Sequence, residues 1–222
     1  MQLQHNEDVK CPQCGRPGTF EIRDIINAGL DSDMREKVFS EELFRWTCPH
    51  CGQVVYYPYG FIYNDMDHKF MLFFNPDEPK DGSKYKPMKI EAPLRLMDDY
   101  VFRPVFGIRN LKEKITILEN GLNDLAIERI KYFFKHLIAP AELIDAEFFI
   151  FIEKILPCED NNMKEELVFG YKSHGQEEPR AFSVSKKEYD QALEAIELDP
   201  RFKDSGIHCV DEGWIGMKIK TV

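Results

Sequence analysis

Cys11-Pro12-Gln13-Cys14-Gly15 and Cys48-Pro49-His50-Cys51-Gly52 are near copies of one pentapeptide and hold four of the six cysteines in the chain. Two residues between sulfurs let both side chains of a tight turn point at one ion, and the glycine permits the positive φ with which the chain leaves that turn. The proline fixes φ beside the first sulfur, so less chain entropy is lost on binding. Each pentapeptide is half of a tetrahedral site, and Cys11, Cys14, Cys48 and Cys51 are expected to hold one structural zinc ion. Four thiolates leave no position for water or substrate. Such an ion crosslinks the chain and generates no nucleophile.

Three other uses of the cysteines compete with this one. Disulfides need an oxidising compartment, and the polar, acidic start Met1 to Asp8 lacks the basic residues and apolar run of a secretory signal. A redox Cys-x-x-Cys comes singly at the start of a helix, whereas these pairs are two, each followed by glycine. An iron-sulfur cluster also takes four thiolates, and spacing alone leaves zinc against iron open. Cys158 and Cys209 stand alone in the sequence and read as indifferent or buried thiols.

The pairs must be brought together by what lies between them. The 33 residues from Gly15 to Thr47 suit an outgoing strand, a helix and a returning strand. Gly18 to Arg23 alternates as a half-buried strand does, and Leu43 to Thr47 alternates again before Cys48. Between them Asp31, Ser32 and Asp33 are N-cap candidates for a helix over Met34 to Phe39, with Asp33 and Glu36 resembling a capping box. Further strands are expected at Gln53 to Tyr57, Phe61 to Tyr63, Phe70 to Phe74 and Tyr100 to Phe106. Pro104 places the last on a sheet edge or at a bulge. Together these form a mostly antiparallel sheet, with an exposed loop from Asn75 to Pro93.

Both pentapeptides, Ile26-Asn27, Leu43-Phe44, Tyr63-Asn64-Asp65 and the block from Leu111 through Asn120-Gly121-Leu122-Asn123-Asp124 to Glu128 together resemble the CpXC domain, a mainly prokaryotic family named for its Cys-Pro-x-Cys motif. The likeness spans roughly residues 8 to 137. It implies metal binding and a domain over 8–137, and names no substrate.

Two helices end that stretch. Leu111, Ile115 and Leu118 form one stripe, and Ile127, Ile130, Phe134 and Leu137 another, with Asn120-Gly121 closing the first helix and Asn123 or Asp124 capping the second. This αα-hairpin can cover a sheet or pair with a second copy of itself. Beyond Pro140, residues 141–222 read as a separate small α+β domain. Its strands are expected at Phe148 to Ile152, Glu166 to Tyr171 and Ala181 to Val184, and its helix is opened by the capping box Ser185–Glu188. A hairpin around Asp211-Glu212-Gly213 joins Ile207 to Val210 with Trp214 to Ile219. The fold class is therefore α+β, a zinc-ribbon-like antiparallel sheet domain with an αα-hairpin followed by a second α+β domain.

Elsewhere the chemistry is sparse. Asp65, Asp67 and His68 crowd one predicted turn, where carboxylates and an imidazole move protons or bind a metal, although turn preference accounts for the aspartates equally. No Gly-rich phosphate loop, Gly-x-Ser-x-Gly elbow or His-Glu-x-x-His helix occurs. With 39 acidic against 29 basic residues the chain carries a net charge of -10, which repels polyanions on average. The locally basic stretch Arg103, Arg109, Lys112 and Lys114 reads first as a solvated face and second as a nucleic-acid contact. At 43% hydrophobic the 222-residue chain has enough apolar surface to fold, and its longest apolar run is far shorter than the roughly 18 residues of a membrane span.

The expectation is a cytoplasmic, non-enzymatic zinc-binding protein that meets a protein partner or itself. The rivals are nucleic-acid binding through the zinc ribbon, and a hydrolytic enzyme using Asp65, Asp67 and His68.

Overall fold

The computed structural model describes residues 4–89, 97, 99–156, 165–203 and 206–220. Strand β1 (Gln4–Lys10) runs antiparallel to β2 (Pro17–Arg23), from Gln4 opposite Arg23 to Lys10 opposite Pro17, with Cys11 to Arg16 as its tip. After β3 (Ile25–Asn27) and helix α1 (Ser32–Phe39), β4 (Arg45–Thr47) and β5 (Val54–Tyr56) form a second antiparallel hairpin tipped by Cys48 to Gln53. Sequence reasoning missed β1 because its side chains are polar and only half-buried at best. Helix α1 starts at Ser32, two residues before Met34, and of the three cap candidates Asp31 takes the N-cap position without a side-chain capping bond.

Strands β3, β6 (Phe61–Asp65), β7 (Phe70–Asn75) and β8 (Val101–Phe106) form a four-stranded sheet in that order. In this sheet only β6 and β7 are antiparallel; β3 lies parallel to β6 and β7 parallel to β8, so it is mixed where a mostly antiparallel one is expected, while the two hairpins are antiparallel. Parallel neighbours need long connections. The chain provides them through α1 and the second hairpin, and through the long stretch between Asn75 and Val101. Pro104 sits on β8, an edge strand, where its missing N–H costs no ladder bond.

Helices α2 (Ile108–Glu119) and α3 (Asp124–Phe133) follow; Gly121 leaves α2 at φ +65°, and the Asn123 side chain accepts from Leu125 N to cap α3. A π-helical turn (Phe134–Ile138) and the short α4 (Pro140–Leu143) lead to the antiparallel sheet β11–β10–β9, made of β9 (Ala146–Ile155), β10 (Glu166–Ser173) and β11 (Arg180–Ser185). Helix α5 (Lys186–Leu198) opens with the expected capping box between Ser185 and Glu188.

The chain divides into two compact units, Met1–Lys84 with Met88–Lys112, and Tyr85–Pro87 with Glu113–Val222. The division falls inside α2, not at the 137/141 boundary read from Pro140. Its cause is packing: Ile117, Leu122, Ala126, Ile127 and Ile130 of the helical hairpin share one core with Phe149, Phe151, Leu167, Phe169 and Val184 of the second sheet. Tyr85, inside the stretch expected to be an exposed loop, packs with Phe202, Val210 and Trp214 of the second unit.

The expected hairpin around Asp211-Glu212-Gly213 does not form. Residues Glu212–Lys220 are helix α6. Asp211 Oδ1 accepts from Trp214 N at 2.9 Å and its carbonyl from Ile215 N at 3.1 Å, while Glu212 in the first turn and Lys218 and Lys220 in the last complement the helix dipole. Apolar residues at 214, 215, 217 and 219 satisfy either periodicity, and the Asp211 cap decides.

Candidate metal centre

The two hairpin tips are built alike. In the first, Cys11 N donates to Arg16 O at 3.0 Å and Gly15 N to Cys11 O at 2.9 Å; in the second, Cys48 N donates to Gln53 O at 2.9 Å and Gly52 N to Cys48 O at 3.0 Å. Gly15 and Gly52 take φ +70° and +72°, the left-handed conformation anticipated for the exit of each turn. Beneath the tips lie Phe20, Ile22 and Trp46, packed with the buried Cys11 and Cys48. Trp46 covers Gly18 so closely that a Cβ there would enter the indole, and its Nε1 donates to Thr19 O at 3.0 Å.

This packing brings both pairs to one point. The sulfurs of Cys11, Cys14, Cys48 and Cys51 all lie within 4.8 Å of one another. Cys11 and Cys51 are 3.7 Å apart and Cys14 and Cys48 3.8 Å, each contact joining one tip to the other. Those separations are far beyond the roughly 2.05 Å of a disulfide and suit four donors around one metal ion. His50, beside the second pair, meets Pro17 O through Nε2 at 3.2 Å and not a thiolate.

Electrostatics points the same way. The backbone N–H of Cys14 outweighs burial and, helped by Gln13 N–H and the Cys48 and Cys51 thiols, brings the Cys11 thiol down to about 7. At Cys51 the N–H of Gln53 pulls down, but burial and the sulfurs of Cys48, Cys11 and Cys14 overcome it and push the thiol up to about 12. The first negative charge forms readily and the last is opposed by its neighbours. A cation at their centre removes that opposition.

A family model described as CpXC protein matches residues 9–131. The chain belongs to the CpXC family. No curated protein and no solved structure gives a match. The CpXC segment contains all four clustered cysteines, and it also runs through α2 and most of α3, helices whose side chains from Glu113 onward belong to the second compact unit.

The other candidates fare differently. Asp65 is buried, and its Oδ1 accepts from Asp67 N and His68 N at 3.0 Å each while Oδ2 meets His68 Nδ1 at 2.8 Å. That carboxylate is committed to its own turn; Asp67 and His68 are exposed around it. The basic stretch is not one solvated face: Arg109 is exposed, but the two lysines are taken up by carboxylates. Lys112 pairs with Glu41 at 2.6 Å, and Lys114 is buried with Asp124 at 3.1 Å. Cys209 is buried near Asp211, and Cys158 lies outside the described residues. Among the described residues no helix is long and apolar enough to cross a membrane.

Proposed function

We propose that this CpXC protein binds one structural zinc ion through Cys11, Cys14, Cys48 and Cys51 in a zinc-ribbon-like unit, and acts without catalysis by presenting that unit to a protein partner in a reducing compartment. The observation that carries the metal reading is the sulfur spacing. Four sulfurs about 2.3 Å from a central zinc form a tetrahedron with edges of about 3.8 Å, against 3.7 and 3.8 Å here. An iron-sulfur cluster inserts several atoms between its cysteines and needs a wider cage than sulfurs all within 4.8 Å.

When bound, zinc supplies a crosslink between the two hairpin tips. The chain's own residues do the rest: Gly15 and Gly52 aim each pair, the Cys14 and Gln53 amides hold the sulfurs, and Trp46 and Phe20 keep water from the buried side. For the partner, Val54 and Tyr56 stand exposed on β5, a strand with one neighbour. The net charge of -10 favours a protein with a basic surface over a nucleic acid.

Elemental analysis of the purified chain tests the metal: one zinc per chain and a colourless protein are expected, and an absorbing iron centre or no metal overturns the reading. Substituting Tyr56→Arg tests the surface. It is expected to abolish partner capture while zinc content stays at one, and retention on a phosphate-bearing resin at low salt would instead favour nucleic acid.

A further inference from the structure

The second unit carries ionisable side chains buried in its interior. Helix α2 contributes Glu113 and Lys114 and helix α3 contributes Asp124, Glu128 and Lys131, each no more than 6% exposed. Lys131 Nζ lies 2.9 Å from Glu113 Oε1 and 3.1 Å from Glu128 Oε2; Lys114 Nζ lies 3.1 Å from Asp124 Oδ2 and 3.7 Å from Glu128 Oε1. Glu128 is thus the member shared by both lysines.

Three carboxylates face two ammonium groups in this cluster. The segment before α6 adds a fourth carboxylate, Asp211, whose charge opposes that of Glu128 and which is held by Trp214 N and, at 3.4 Å, by the Tyr85 hydroxyl. The same segment brings buried His208 against the Trp214 ring and lends Val210 O to Lys114 at 2.8 Å. From β9, Phe151 N donates to Glu113 Oε1 at 2.7 Å. An excess negative charge in such surroundings is costly, and a proton is the simplest way to remove it.

The geometry selects where that proton sits. Glu113 accepts two bonds from Lys131 and one from Phe151, and Asp124 accepts from Lys114, so both carboxylates already receive donors. Glu128 Oε2 is within ion-pair distance of Lys131 but outside hydrogen-bond geometry, and its Oε1 is the more distant of the two oxygens near Lys114. We infer that Glu128 stores one proton inside the folded second unit, and that its release on alkalinisation is a switch that loosens α3 against α2.

Burial pushes the Glu128 carboxyl up to about 7 against the pull of Lys131 and Lys114. Burial acts to lower Lys131, but Glu113 and Glu128 overcome it and hold the ammonium above its ordinary range. An unfolded glutamate ionises near about 4.3. Between these values the folded unit binds a proton that the unfolded chain has released, so stability falls as pH rises through this window and levels off above it.

Hydrogen exchange of the full chain reads this directly, with the α3 amides and Phe151 N–H as reporters and intrinsic rates corrected for pH. The opening constant is expected to rise about tenfold per pH unit across pH 5 to 7. Glu128→Gln keeps the shape of the neutral acid, and is expected to match the wild type at pH 5 and to remove this slope. A flat wild type, an unchanged slope in E128Q, or loss of protection in E128Q at pH 5 overturns the proposal. Carboxyl-carbon NMR of the wild-type chain needs no variant to fold: a Glu128 signal that titrates near neutrality supports the stored proton, and one ionised throughout overturns it.

Discussion

Beneath the cysteine tips the buried apolar support is Phe20, Ile22 and Trp46 with Cys11 and Cys48 themselves, flanked by half-buried Val9, Val55, Tyr57 and Tyr59, whereas the second unit closes a larger core from Ile117 and Leu122 through Phe149, Phe151 and Phe169 to Tyr189. The first region orders two short hairpins whose outer strand is polar. A small apolar cluster offsets little of the conformational entropy of ordering them, and a metal held by the four sulfurs would add to it. The second has three paired strands and helices with wide apolar stripes, and so much burial that it tolerates charged side chains in its interior. The cysteine cluster therefore sits over the smaller apolar cluster of the two.

The largest test of that contrast is removal of one sulfur. Cys11→Ser or Cys48→Ser is expected to forfeit metal binding, which in small zinc modules is worth on the order of 10 to 16 kcal/mol. Limited proteolysis should then cut within residues 4–60 while the second unit stays resistant; joint loss of both would break the comparison. Next in size, Trp46→Ala and Phe169→Ala should each cost about 3 to 5 kcal/mol in denaturant unfolding. Chelator should worsen the first and leave the second unchanged. Gly18→Ala drives a Cβ into the Trp46 ring and should cost about 1 to 3 kcal/mol with reduced zinc retention. The smallest effect is Ser185→Ala, which removes the α5 capping box for about 1 kcal/mol in thermal unfolding and leaves zinc content at the wild-type value.

The cysteine pairs, their glycines and the strands Phe61 to Asp65 and Phe70 to Asn75 were legible in the sequence because sulfur spacing and alternation are local signals. Strand β1 was not: with polar residues on both faces, only its pairing to β2 and the tip between them define it. Helix α6 was misread because its cap, Asp211, resembles a turn residue. The charged cluster was hidden for a related reason. Lys114 reads as part of a solvated basic face, and Glu113, Glu128 and Lys131 carry no motif; only the packing of α2 and α3 in the second unit shows that they face inward. At the metal centre the sulfurs could be named from the sequence, but the Trp46–Gly18 contact that seats the two tips could not, since neither residue carries a spacing motif.

Because the CpXC match stops at Lys131 while the core of Glu113–Val222 draws on α3, the segment defined by sequence and the segment able to fold are different objects. Excising residues 9–131 would take a helix away from β9, β10 and β11 and strip its apolar stripe bare. Recombination at that edge, in the laboratory or in evolution, would yield two damaged halves, so inheritance of the cysteine module in this chain carries its downstream neighbour with it.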